Sequence, residues 1–173
     1  MQILETKRLV LKLHTLDNLD LLYPILSDPQ TMQYYPRPYT KDEVQGWIER
    51  SITGYQKRNY GLWAVFLKEQ DKFIGQCGIS LQNIDGELVP EIGYHIHKDF
   101  WRLGYASEAA KACLDYGFNK LHLPEIYIHT WIKNIPSYKI AEKLNMLKIK
   151  EYDKVISSAD CVMRHVVYKA IQK

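Results

Sequence analysis

The chain has 173 residues, of which 46% are hydrophobic and 25% charged, values that suit a folded water-soluble domain and exclude a disordered or fibrous chain. The formal net charge of +3 is mild: Lys148, Lys150 and Lys154 form the densest basic group, acids interleave them, and a solvated face is expected there, not a nucleic-acid surface. No apolar run reaches the length of a membrane span, and residues 1–5 lack a signal peptide's basic and apolar regions, so a cytoplasmic protein that does not contact membranes is expected.

One domain over residues 1–173 is expected from the length. Arg8 to Leu13 alternates as a strand, and Thr15 then offers a cap for a helix carrying Leu16, Leu19, Leu22, Tyr23 and Leu26, which Ser27-Asp28-Pro29 stops. Met32 to Tyr39 holds two prolines and three tyrosines and reads as an ordered loop, set either against a pocket or over a core edge. Thr40-Lys41-Asp42-Glu43 is a capping box, followed by a helix whose apolar face is Val44, Trp47, Ile48, Ile52 and Tyr55. Strands at 61–67, 73–81 and 88–97, joined by turns at 69–72 and 82–86, make an antiparallel meander. In the last of them Ile92, Tyr94 and Ile96 face one way, and Glu91, Gly93, His95 and His97 the other.

After Gly104 the period changes. Ala106, Ala109, Ala110, Cys113, Leu114, Gly117 and Leu121 recur at helical spacing, and Leu123-Pro124 closes that element. A strand at 125–131 follows, so the crossover is parallel and right-handed. Asn134 caps a helix that tolerates Pro136 in its first turn and runs to about Asn145, and strands at 147–156 and 161–169 end the chain. Cys77, Cys113 and Cys161 form neither a pair nor a metal-finger spacing and read as buried small hydrophobes.

The turn before Ala106 delivers backbone N–H groups to a helix start, where the first four amides have no intrahelical partner and the macrodipole adds to them. This is an anion site that would fit a pyrophosphate, with Arg102 as a cation beside it. Trp101-Arg102-Leu103-Gly104-Tyr105-Ala106 resembles the acyl-CoA pyrophosphate loop of the GNAT superfamily of N-acetyltransferases. The first position departs, with Trp101 in place of Gln or Arg. The wider run Phe100 to Ala109 is similar to that of the ribosomal-protein N-terminal acetyltransferase branch. A second stretch, Asn134-x-x-Ser137 followed by Glu142-Lys143-Leu144-Asn145-Met146, resembles that superfamily's second motif, with Asn145 for Gly and Met146 for Phe. Glu5 to Leu9 and the Trp47-Ile48 helix look like the same branch. The element order matches too, so the resemblance covers nearly the whole chain. It implies an α/β fold with a largely antiparallel mixed sheet, splayed at its central strands and flanked by helices.

The resemblance implies acetyl-CoA as cofactor, with coenzyme A as product. The main chain of Arg102, Leu103, Gly104, Tyr105, Ala106 and Ser107 would hold the pyrophosphate, and the anchor strand near Tyr94, His95 and Ile96 would pair with the pantetheine arm. Asn134 would contact the cofactor, and Lys143 or Lys139 would meet a nucleotide phosphate. A main-chain N–H of the anchor strand, locally distorted at Gly93, would stabilise the oxyanion. Glu91 is the first choice of base; His95 and His97 can share that task, and with no third ligand near them no metal is expected. The superfamily's usual Tyr acid falls on Ala141; the resemblance to the ribosomal-protein branch, where a serine at this position is thought to serve, implies Ser137 as the acid, with Tyr138 turned about 100° away around the helix. The acceptor would be a small-molecule amine or a protein N-terminus, and Asp28, Asp85, Glu87 and Glu91 together would favour a cationic one. A monomer or homodimer is expected. A non-catalytic acyl-CoA sensor on the same fold is the alternative reading, while a nucleotide-binding protein lacks both a Gly-Lys-Ser/Thr loop and a Gly-x-Gly-x-x-Gly turn.

Overall fold

The computed structural model describes residues 1–172. Eight strands, β1 (Gln2–Glu5), β2 (Leu9–Leu13), β3 (Leu62–Leu67), β4 (Lys72–Ile84), β5 (Glu87–Ile96), β6 (Glu125–Trp131), β7 (Leu147–Ile156) and β8 (Cys161–Ile171), form one sheet in the order β1-β2-β3-β4-β5-β6-β8-β7. Every adjacent pair is antiparallel except β5 and β6. The helices are α1 (Leu19–Leu26), α2 (Lys41–Arg58), α3 (Tyr105–Asn119) and α4 (Ile135–Lys143). The mixed sheet with flanking helices is the expected α/β architecture.

The two faces of the sheet carry separate cores. Ile74, Cys77, Ile79 and Ile92 pack with Ala109, Ala110 and Cys113 of α3 and with Ala141 and Met146 around α4. Phe73, one residue from Ile74 and so on the opposite face, joins Leu22, Leu26, Val44 and Ile48 of α1 and α2. The small-residue stripe of α3 is what brings that helix close. A Cβ on Gly117 would collide with the Ile126 side chain. Cys77 and Cys113 are buried as expected, whereas Cys161 is only half-buried.

The caps behave as their residues demand. Thr40 accepts from the Glu43 N–H while Glu43 accepts from the Thr40 N–H at 2.8 Å, which closes the capping box of α2. Asn145 takes the left-handed conformation (φ 56°) just past α4, the role glycine plays at other helix ends.

Three features depart from the sequence reading. The β4–β5 hairpin is longer than expected, because Gln82 and Asn83 remain paired and the turn shrinks to Asp85 (φ 55°) and Gly86 (φ 88°), a two-residue Asp-Gly turn with positive φ at both positions. The β4–β5 register runs unbroken through Gly78 and Gly93, so the distortion expected at Gly93 is absent from that ladder. The edge strand β1 has only four residues and no clear alternation, and it is specified by its pairing with β2.

Candidate active site

The parallel pair β5–β6 meets at a single bridge, Glu91 to Tyr127, and beyond it the strands part. The opening is continuous with a cleft of about 1110 Å³ that passes from the α3 and α4 side of the sheet to the α2 side. Main-chain groups alternate between strand edges. The His97 N–H donates to the Ile74 carbonyl at 2.8 Å, and the His95 carbonyl lies against Gly75, so these odd-numbered groups belong to β4. Tyr94 and Ile96 therefore turn theirs toward the opening. The Trp101 indole donates to the Ile96 carbonyl at 2.7 Å, which leaves the Tyr94 main chain and the Ile96 N–H facing the cleft. Of the three residues expected to pair with an extended amide-bearing ligand, His95 is thus committed to β4.

On the α3 side, Arg102, Gly104, Tyr105, Ala106 and Ser107 line the cleft. Arg102 (φ 63°) and Gly104 (φ 83°) are both left-handed, and this double bend aims the amides of the first turn of α3 into the opening. Leu103 points outward, and its carbonyl accepts from Arg8 at 3.0 Å. Arg8 also binds Glu108 at 2.6 Å and lies over the Tyr105 ring at 4.3 Å, while Thr6 donates to Glu108 at 2.6 Å. The segment Thr6 to Arg8 thus staples the loop, a role that local sequence cannot reveal because its partners lie about a hundred residues away. Asn134 caps α4 by accepting from the Ser137 N–H and lines the cleft, as does Lys143; Lys139 is instead paired with Glu142 at 2.7 Å.

On the other side of the sheet Glu91 is buried, and its carboxylate accepts from His129 Nδ1 at 2.7 Å. The other ring nitrogen of His129 lies 3.2 Å from Lys154 Nζ. With its Nδ1–H held by a carboxylate, His129 presents Nε2 as a proton acceptor. His129 was missed from sequence, though it alternates with Tyr127 and so shares the Glu91 face. Lys154 corrects the expected solvated face: Lys148 and Lys150 pair with Glu151 and Asp85, while Lys154 reaches into the cleft. His165, 5.3 Å from His129 between ring centres, is held at about 4 by burial and stays neutral.

His95 is equally committed. Its ring lies 2.7 Å from the Tyr35 hydroxyl and 3.1 Å from the Gln76 amide, and burial lowers it to about 4. With both nitrogens engaged it is poorly placed to share the base's task. His97 turns away to accept from the Asp99 N–H at 3.2 Å. The aromatic loop serves both of its expected purposes: Tyr35 and Tyr39 pack with Trp47 against the α1–α2 core and also wall the cleft. The acidic cluster expected around Glu91 does not assemble, because Asp28 binds Lys98 at 2.7 Å and Asp85 binds Lys150 at the far hairpin.

Ser137 lines the cleft in the first turn of α4, and the Tyr94 hydroxyl donates to its carbonyl at 2.8 Å with Ser137 Oγ 3.1 Å away. Burial raises the Tyr94 phenol, so it stays protonated as a donor. Ala141 is buried in the core, and the hydroxyl beside Ser137 is that of Tyr94 from β5. Tyr138 stacks on Tyr168, away from Ser137, as the helical turn requires.

The chain matches the acetyltransferase (GNAT) domain family over residues 8–147. A protein of Bacillus subtilis strain 168, YkkB, is 38% identical over 125 residues that cover 70% of this chain and 71% of that one. The uncharacterized N-acetyltransferase p20 of Bacillus licheniformis is 32% identical over 163 residues, 89% of each chain. The solved structure of a Salmonella typhimurium acetyl transferase, described as modifying the N-terminal serine of a 50S ribosomal subunit protein, superposes over 100% of both chains with a TM-score of 0.82 at 14% identity, a likeness of fold alone. With a splayed sheet, a helix start that lines the cleft and these relatives in agreement, the chain belongs to the GNAT family of N-acetyltransferases, enzymes that move an acetyl group from acetyl-CoA.

Proposed function

We propose that this enzyme binds acetyl-CoA from the α3 side and acetylates a primary amine that enters from the Tyr35 side. The observation that carries this reading is the parting of β5 from β6. It leaves the Tyr94 main chain facing an opening with an anion-binding helix start on one side and the Glu91–His129 pair on the other. The residues fit the cofactor: amides of the Gly104 to Ser107 turn, with Arg102, for the pyrophosphate, Lys143 for a further phosphate, and the free edge of β5 for the amide-rich arm.

Bound acetyl-CoA supplies the thioester. Glu91 fixes the tautomer of His129 and stabilises the imidazolium that forms when Nε2 takes the amine's proton, directly or through water. A main-chain N–H of β5 facing the opening, that of Tyr94, stabilises the developing oxyanion. Ser137 Oγ donates a hydrogen bond toward the departing sulfur, with Tyr94 holding the Ser137 main chain in place. Both a small amine and a protein N-terminus fit this chemistry, and the Salmonella neighbour favours including N-terminal peptides among candidates.

Calorimetric titration with acetyl-CoA, and with NAD and ATP as controls, tests the reading. Micromolar binding that Gly104→Glu abolishes is expected, followed by turnover of at least one member of a panel of small amines and N-terminal peptides. Glu91→Gln should retain binding and lose turnover on the order of 10²-fold. Absence of acetyl-CoA binding would overturn the proposal.

A further inference from the structure

The lysine in the cleft carries an inference of its own. Lys154 projects from β7 so that its Nζ sits 3.2 Å from His129 Nε2, and His129 Nδ1 in turn sits 2.7 Å from the Glu91 carboxylate. An amine nitrogen beside that ring nitrogen, in a cleft also lined by Gly93 and Tyr94, stands where an acceptor amine would give up its proton to His129 in the proposed mechanism. Its neighbours in sequence are tied up at the surface, Lys148 with Glu151 and Lys150 with Asp85. Lys154 forms no carboxylate pair among the described residues, and its one polar side-chain contact is the His129 ring. Burial lowers its pKa, which raises the neutral, nucleophilic fraction of the amine.

We propose that Lys154 is an internal acceptor: in the absence of an amine substrate the enzyme acetylates its own Lys154 side chain from acetyl-CoA. This inference rests on the acetyltransferase reading given above. The neutral Nζ attacks the thioester carbonyl carbon; the new C–N bond forms, the C–S bond breaks, and coenzyme A leaves as a thiolate that takes a proton from solvent. The proton lost by the nitrogen passes to His129 Nε2, where the Glu91 carboxylate stabilises the resulting imidazolium until it returns the proton to solvent. The products are one Lys154 acetamide and one coenzyme A. The acetamide carries no charge, so the modification removes a cation from the acceptor end of the cleft and leaves His129 Nε2 facing a weaker donor.

The test is incubation of the purified full chain with acetyl-CoA and no added amine, followed by intact mass and peptide mapping, for the parent protein, Lys154→Arg and Glu91→Gln. The expected result is a single acetyl group on Lys154. Its first-order rate constant should not change on dilution, it should be absent in Lys154→Arg, and it should form roughly tenfold or more slowly in Glu91→Gln. A protein that binds acetyl-CoA and turns over an added amine yet stays unmodified would overturn the self-acetylation alone. So would acetyl groups scattered over surface lysines at equal rates in the parent and in Glu91→Gln. A chain that neither binds acetyl-CoA nor is modified would overturn the acetyltransferase reading with it.

Discussion

At the scale of single residues, the hydroxyl next to Ser137 comes from a different element than the family pattern leads one to expect. Ala141, buried on the core side of α4, sits where the family's usual tyrosine acid stands and carries no hydroxyl. Tyr94 comes instead from β5 and donates to the Ser137 carbonyl at 2.8 Å. The direction of its pKa decides its role. A phenol raised by burial above its ordinary range does not surrender its proton to a thiolate, whose conjugate acid is near 8.5 in an unperturbed thiol, roughly 1.5 units or more below the phenol. In the mechanism proposed above it holds Ser137 while the serine hydroxyl donates a hydrogen bond to the sulfur. Tyr94→Phe should therefore lower kcat by roughly tenfold, about the upper value of one hydrogen bond between neutral groups, and leave acetyl-CoA affinity nearly unchanged. Because both groups act through one hydroxyl, adding Ser137→Ala should cost little more than either change alone. Steady-state kinetics of the two single variants and the double variant check this, and strictly additive losses would separate the two side chains. Glu91 and Ser137 were legible in the sequence as candidates, Glu91 from the strand face it shares with His95 and His97, and Ser137 from the position it holds in the Asn134-x-x-Ser137 stretch. His129 was not, because a histidine inside a strand carries no local mark of its partner.

At the scale of elements, the loop before α3 illustrates which structural information is local. The change from alternating to helical period around Gly104 marked the turn, and the chain does bend there through two left-handed residues. What holds the bend was invisible. The Arg8 side chain reaches across to donate twice, to Glu108 and to the Leu103 carbonyl, while its guanidinium covers Tyr105. Non-glycine residues in the left-handed region cost about 1–3 kcal/mol and persist where the surroundings fix them, so Arg102 depends on this staple. Arg8→Ala should leave the chain folded, raise the KM for acetyl-CoA about 5- to 30-fold through loss of roughly 1–2 kcal/mol of loop ordering, and leave kcat close to that of the parent. Steady-state kinetics with the acceptor held saturating separates the two parameters, and a fall in kcat with unchanged KM would show that the staple supports chemistry and not the cofactor. The same limit explains β1, whose four residues form a strand only because β2 lies beside them. It also explains the shortened hairpin turn, where the pairing of Gln82 and Asn83 across the ladder outweighed their polar, turn-like character.

At the scale of the whole molecule, the fold was readable because its element order is written in successive periods, whereas the site depends on which distant side chains the sheet brings together. Three buried histidines follow from that convergence: His14 near the α1–α2 side, His95 beneath Tyr35, and His165 beside His129. Burial lowers each from 6.5 to about 4, which keeps all three neutral in the folded protein at neutral pH. The unfolded chain binds protons at these positions once the pH falls below about 6.5, while the native chain does not until about 4. Over that window the unfolded state holds more protons, so stability rises with pH and is lost as pH falls, by up to about 1.4 kcal/mol per pH unit for each histidine. The carboxylates respond lower down: Asp28, held at about 2 chiefly by Lys98, and Glu43, held at about 2 chiefly by Arg37, contribute stability that is complete above their ordinary range and disappears only as pH approaches their folded values. Loss of stability between pH 6.5 and 4.5 therefore belongs to the histidines. Urea midpoints measured from about pH 7.5 to about pH 4.5 should fall steeply below about 6.5, with an unchanged m-value. A midpoint that stays level to about pH 4.5 would mean that the three rings charge as readily in the native protein as in the unfolded chain, and that water reaches them in the folded state.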